Sequence, residues 1–250
     1  MAALTGKTAL VTGGSRGIGR AVAERLAQDG ARVGVHYNTG ADAAKQTIAA
    51  IERAGGSAFA VQAELGVDGD AEALWTAFDS HADGLDILIN NAGIAELGGV
   101  ADTTPDAFAR LFAVNTTAPF FITQLGLDRL RSGGRIVNVS TSYTLGKPDP
   151  QLTTYAMTKA AIDVFTSALA KELGPRGITV NAVNPGAIDT DLNAAWLRSN
   201  DEARAATAAR SPLARVGVPT DVAGVVAFLV STDAGWVTGQ LLDATGGALL

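Results

Sequence analysis

The 250-residue sequence predicts an α/β protein built on a doubly wound, seven-stranded parallel sheet with helices on both faces. Seven short apolar runs alternate with longer amphipathic stretches from one end of the chain to the other. Most of these runs are continuously apolar, the pattern of parallel strands covered on both sides. The links between them are short, and strand–helix–strand repetition of this kind implies right-handed crossovers.

The first strand is expected at 8–12. A helix follows it, marked by the stripe Ile18, Ala21, Val22 and Leu26 on one face, with Gly30 placed as its C-cap. Further strands are expected at 58–62, 86–90, 135–139, 179–183 and 241–243, after a second strand at 32–37. Before the sixth strand runs a helix with the stripe Ile162, Phe165, Leu169 and Leu173; Gly174 is its expected C-cap, and Pro175 follows. Residues 191–215 break the regularity. That segment is polar, rich in alanine and ends in Ser211-Pro212, so it is expected to be a mobile lid. No linker, repeat or charge block divides the chain, and one domain over 1–250 is expected.

Composition narrows the function. The net charge is −6 and no basic stripe is present, which argues against nucleic-acid binding. The apolar stretches fall short of a membrane span. There is no cysteine, hence no disulfide, thiolate nucleophile or thiolate metal site. The opening Met1 to Lys7 lacks the basic and apolar regions of a secretory leader, so a cytoplasmic location is expected. Neither of the two histidines lies near a matched acid and serine, so neither a metal cluster nor a Ser-His-Asp hydrolase is expected.

Between the first strand and its helix lies Thr12-Gly13-Gly14-Ser15-Arg16-Gly17-Ile18-Gly19. Glycines at 13, 17 and 19 permit a tight turn, close approach of backbone N–H groups to a pyrophosphate, and close helix–strand packing. The second strand ends Val35-His36-Tyr37-Asn38, with no acid to receive the ribose 2′-OH of NAD. Arg16 in the loop could pair with a 2′-phosphate through its guanidinium fork. Both features favour NADP(H) over NAD(H).

Tyr155 and Lys159 stand one turn apart on one helix face. An ammonium beside a phenol favours phenolate, giving an acid/base group usable near neutrality. Upstream, Ser140-Thr141-Ser142 follows the apolar strand 135–139, where a hydroxyl points into the crevice in which such sheets bind ligands. Asn90-Asn91-Ala92-Gly93 likewise follows a strand, and Asn115 sits within a helical pattern that an interior Asn does not favour.

Together these motifs resemble the compact branch of the short-chain dehydrogenase/reductase family, a Rossmann-type fold, over nearly the whole chain. T-G-x-x-x-G-x-G appears as Thr12 to Gly19, N-N-A-G as Asn90 to Gly93, Y-x-x-x-K as Tyr155 to Lys159, and P-G-x-x-x-T as Pro185 to Thr190. The resemblance implies that Tyr155 exchanges a proton with the substrate oxygen, Ser142 polarises the carbonyl, Lys159 tunes Tyr155 and holds the nicotinamide ribose, and Asn115 positions a relay water. It implies a dinucleotide held by Gly13, Ser15, Arg16, Gly17, Ile18 and Gly19. Around the adenosine it implies Tyr37, Asn38, Glu64 and Leu65, with Glu64 standing where many relatives have Asp. Asn91, Ala92 and Gly93, then Pro185, Gly186, Ile188 and Thr190, are implied at the nicotinamide side.

Glu64 is one departure from the family pattern, and the hydroxyl run is the other. Ser140-Thr141-Ser142-Tyr143 reads one residue longer than usual; Ser142 keeps the commonest separation from the Tyr, and Thr141 is the fallback. The implied activity is hydride transfer between NADP(H) and a ketone or secondary alcohol, in a homotetramer. A dinucleotide sensor without catalysis is the alternative, disfavoured because Tyr155 and Lys159 are both present. Arg129, Arg131 and Arg176 offer a basic dock for an acidic acyl carrier, although overall acidity gives no steering toward one.

Overall fold

The structure, a computed structural model, describes residues 3–146 and 148–250. Strands β1 (Thr8–Val11), β2 (Arg32–Tyr37), β3 (Ser57–Gln62), β4 (Leu85–Asn90), β5 (Leu130–Val139), β6 (Thr179–Pro185) and β7 (Leu241–Ala244) form one sheet in the order β3-β2-β1-β4-β5-β6-β7. Every neighbouring pair is parallel. The expected Rossmann-type α/β sheet is therefore present. From β1 the chain winds outward to β3, then returns to place β4 on the other side of β1. The resulting switch point opens a crevice at the carboxyl ends of β1 and β4.

Successive side chains of a strand face opposite layers, and both layers here are apolar. Ala9 and Val11 of β1 join a buried cluster with Val22 and Leu26 of α1 (Gly17–Gln28), Ile51 of α2 (Ala41–Arg53) and Val226 of α9 (Pro219–Val230). Leu10 faces the other cluster, with Leu74 and Trp75 of α3 (Asp70–Asp79), Ile122 of α5 (Ala118–Gly126) and Leu169 of α6 (Thr153–Leu173). Covering both faces is what made the strands read as continuous apolar runs.

Three elements differ from expectation. β5 starts at Leu130, because Arg131 is anchored to Asp86 of β4 at 2.8 Å and the pairing shifts between Leu85 and Ile87 before regular register resumes. Its polar Arg131-Ser132-Gly133-Gly134 opening hides this first part from an apolar-run criterion. Gly174 is the C-cap of α6 as expected; it keeps helical angles, a short 3-10 turn follows, and Gly177 at φ +68° reverses the chain. The C-cap of α1 is Asp29 rather than the expected Gly30, which follows it in the left-handed conformation at φ +102°, open to a residue without a β-carbon. Lastly, 191–215 holds two short helices, α7 (Ala194–Leu197) and α8 (Asp201–Ala209). A single bridge closes its base: Ile188 pairs with Gly217, and Asp189 N–H donates to the Gly217 carbonyl at 2.9 Å.

Candidate active site

The turn after β1 adopts left-handed angles at Gly13 and Gly17, φ +62° and +55°. A β-carbon on Gly19 would overlap the Gly13 carbonyl oxygen and Asn91 Nδ2, so only glycine fits there. Thr12 ties this turn to the end of β4: its Oγ1 accepts from the N–H groups of Asn91 (2.9 Å) and Ala92 (3.0 Å). Asn91 Nδ2 returns a bond to the Thr12 carbonyl at 2.8 Å. Ser15 is buried and Thr47 of α2 donates to its carbonyl at 3.1 Å. Arg16 stands exposed just before α1, with no ion-pair partner among the described residues. Ile18 and Gly19 lie in the first turn of α1, whose N–H groups lack helical partners.

The other expected binding residues converge on this turn from neighbouring strand ends. Tyr37 closes β2 and Asn38 follows it, and Glu64 and Leu65 follow β3, with Glu64 exposed and Leu65 half-buried. Pro185 ends β6; Gly186 follows, and Ile188 and Thr190 are buried. A β-carbon added to Gly17 would meet Thr190 Cγ2 at 3.5 Å, so the segment after β6 lies against the glycine turn.

On the far side of the crevice, Gly93 reaches α6, which carries Tyr155 and Lys159. A β-carbon there would stand 3.2 Å from Asn115 Oδ1 and 3.3 Å from Lys159 Nζ. Asn115 occupies a π turn (Ala113–Thr117) between α4 (Pro105–Phe112) and α5. Such bulges often mark functional positions. Its amide is fully committed: Oδ1 accepts from Ile94 N–H at 2.9 Å, and Nδ2 donates to the Ile94 carbonyl (2.8 Å) and Thr158 Oγ1 (3.1 Å).

Lys159 is buried and donates to the Val139 carbonyl at 2.8 Å. Burial pushes its ammonium down to about 8, against a smaller opposing pull from Asp163. Tyr155, one turn earlier, is pushed up to about 12, chiefly by burial; a hydrogen bond with Thr141 pulls the other way. The expectation that Lys159 lowers the phenol's pKa is not met, because the ammonium is directed at Val139. The hydroxyl beside the phenol is also not the one that spacing selected. Thr141 is buried and acts on the Tyr155 phenol, lowering its pKa, while its Oγ1 accepts from Tyr143 N–H at 3.5 Å; Ser142 opens a 3-10 turn (Ser142–Thr144). Thr141 itself is held by Asn184, whose Nδ2 donates to its carbonyl at 3.0 Å.

A glycine turn at the sheet's switch point, facing a Tyr–Lys helix across it, is the arrangement that the sequence motifs anticipate. The family profile described as enoyl-(acyl carrier protein) reductase matches residues 13–248. The chain belongs to the short-chain dehydrogenase/reductase family. As a member of that family it is an oxidoreductase. It is 42% identical to versicolorin reductase stcU of Emericella nidulans, over 98% of this chain and 96% of that one. Tetrahydroxynaphthalene reductase of Pyricularia oryzae is 39% identical, over 100% and 92% of the two chains. Among solved structures, the promiscuous reductase LugOII, described as catalysing keto-reduction at C1 in lugdunomycin biosynthesis, superposes with a TM-score of 0.95 at 44% identity, covering 99% of this chain and 100% of that one. The angucycline C-6 ketoreductase LanV with bound NADP gives 0.93 at 47% identity, covering 99% and 97%.

Two residues of this short-chain dehydrogenase/reductase site escaped sequence reasoning. Thr12 opens the glycine motif, and its hydroxyl, which the motif's spacing gives no role, fastens the neighbouring backbone at Asn91 and Ala92. His36 was read only as part of a strand tip without an acid. The arginines proposed as an acyl-carrier dock are occupied: Arg129 bonds Asp79 (2.5 Å), Arg131 bonds Asp86, and Arg176 bonds the carbonyls of Leu127 and Leu130. Among the described residues there is no group of acids and histidines placed to hold a metal, and no helix is long and apolar enough to cross a membrane.

Proposed function

We propose that the chain is an NADPH-dependent ketoreductase acting on a polycyclic aromatic ketone, with Tyr155 as general acid. The observation that carries this reading is the half-buried Tyr155 phenol, held protonated at neutral pH and beside Thr141, next to a crevice headed by a glycine turn. A phenol whose pKa stands at about 12 is an acid at neutral pH, which suits reduction. The reduced nicotinamide, when bound, supplies the hydride that the carbonyl carbon receives. Tyr155 gives its proton to the carbonyl oxygen as negative charge develops there. Thr141 steadies that charge through its hydroxyl, taking the part that spacing assigned to Ser142. Lys159, with its pKa lowered to about 8, holds the ribose and exchanges protons near neutrality. Asn115 keeps the Gly93–Ile94 segment beside Lys159, which is its contribution to the proton relay.

The glycine turn, too narrow for any β-carbon at Gly19, fits a dinucleotide phosphate. Arg16, exposed and unpaired by any acid among the described residues, fits the 2′-phosphate of NADP, and LanV was solved with NADP. The substrate class rests on the named relatives and on apolar groups in the loops beyond the strands' carboxyl ends. Leu97, Leu192 and Trp196 are exposed there, and half-buried Tyr143 is close enough to Tyr155 to influence its ionisation. Within one domain over 1–250, residues 191–215 act as the lid, hinged at the Ile188–Gly217 bridge. A cytoplasmic homotetramer completes the reading, supported by exposed Phe120, Phe121 and Val164 on α5 and α6.

The test is NADPH oxidation across a panel of polycyclic aromatic ketones, ketoacyl thioesters, sugars and steroids, with parallel titration of NADPH and NADH. Turnover is expected with the aromatic ketones, and NADPH should bind roughly tenfold or more tightly than NADH, the worth of a charge-assisted bond to Arg16. Equal affinity for NADH would overturn the cofactor preference, and turnover confined to thioesters would overturn the substrate class.

A further inference from the structure

His36 is buried, 2% exposed, near the carboxyl end of β2, and the reaction above makes no use of it. Gly13 N–H donates to its Nδ1 at 2.9 Å, and its Nε2 lies 3.1 Å from the Ala63 carbonyl oxygen. An amide N–H can only donate, so Nδ1 must offer a lone pair. A carbonyl oxygen can only accept, so Nε2 must carry the proton. The two contacts together select a single neutral tautomer. The backbone of the same residue adds a third tie: Gly14 N–H donates to the His36 carbonyl at 2.8 Å. One residue thus holds two successive amides of the glycine turn and links them to the end of β3.

We propose that His36 is a positioning residue for dinucleotide binding, its neutral Nε2–H ring turning the Gly13 amide inward so that the amides opening α1 face the pyrophosphate. This rests on the reading of the turn as a dinucleotide site. An apolar side chain could fill the volume but would leave the Gly13 donor without its protein partner in a part-buried place, at a cost. Burial holds the ring neutral, with a pKa near 4, opposed only by the Ala63 carbonyl. The charged and titratable groups on the surrounding segments are Lys7 before β1, Arg16 in the turn, Arg32 and Tyr37 on β2, and Glu64 after β3; none is among those causes. A proton on Nδ1 would set two donors against each other at Gly13.

The experiment measures NADP+ dissociation constants for the full-length wild type, His36→Asn and His36→Leu, alongside nitrogen-detected NMR of the ring in a His81→Gln background, where His36 is the only histidine. Asn places Oδ1 where Nδ1 stands, so His36→Asn should stay within about twofold of wild type while His36→Leu weakens roughly five- to tenfold, with kcat at saturation unchanged. The ring should show the neutral Nε2–H pattern at neutral pH, a readout that needs no destabilising variant at this position. A cationic or Nδ1–H ring overturns the proposal. So does wild-type affinity in His36→Leu, or an equal loss in His36→Asn and His36→Leu. Wild type that binds no NADP+ would defeat the dinucleotide reading as well. Wild type that binds, with His36→Leu binding as tightly, defeats only the role of His36.

Discussion

Thr141 and Ser142 are adjacent hydroxyls, yet the chain direction at the end of β5 gives them different surroundings. Thr141 is still extended (φ −156°, ψ 151°) and its hydroxyl meets Tyr155; Ser142 has entered the 3-10 turn. Counting residues back from Tyr155 could not separate them, because the extra residue in Ser140-Thr141-Ser142-Tyr143 can be absorbed on either side of the hydroxyl. Thr141→Ala should therefore lower kcat roughly hundredfold, the cost of one donor to a developing oxyanion, and Ser142→Ala should leave it within a few-fold. Steady-state kinetics on a reducible ketone check both. His36 gives a second prediction at this scale. Its folded pKa near 4 lies below the unfolded value of 6.5, so between these the unfolded chain binds more protons. Stability should rise with pH across that window, by on the order of 3 kcal/mol from this residue, and fall as pH drops through it. Urea unfolding at several pH values should show that rise in wild type and its loss in His36→Asn.

At the scale of elements, the glycine turn is where sequence and structure agree most closely. Its glycines were legible because each answers a backbone demand: left-handed angles at Gly13 and Gly17, no room for a β-carbon at Gly19. Gly19→Ala should cost about 1–3 kcal/mol through overpacking and should abolish measurable NADP+ binding. Thermal unfolding and an NADP+ titration read the two effects separately. Other elements were not legible, for physical reasons. The π turn at Asn115 conserves the helical pattern of its neighbours and adds only one residue to a turn, which no periodicity reveals. The start of β5 is polar and owes its place to the Arg131–Asp86 pair, a contact between residues far apart in sequence. Lys159 was expected to address Tyr155 because both share a face; that spacing cannot report the Val139 carbonyl that accepts its hydrogen bond.

For the whole molecule, alternation and crossover handedness imply a doubly wound parallel sheet, which is why the sheet could be foreseen from apolar runs, while its strand order is read only from the structure. Assembly is a separate matter. Phe120 and Phe121 at 43% exposure and Val164 at 71% leave α5 and α6 with an apolar outer face that a second copy would cover. Val164→Glu should convert the expected tetramer into smaller species, measured by light scattering, with the monomer fold retained by circular dichroism. The central claim concerns chemistry at one atom, the Tyr155 hydroxyl. Its most direct test is the kcat for ketone reduction by wild type and Tyr155→Phe, with NADP+ affinity measured in parallel. The account predicts a loss of roughly 10²–10⁴-fold in kcat at nearly unchanged affinity, as expected on removing a general acid. Full turnover by Tyr155→Phe would contradict it.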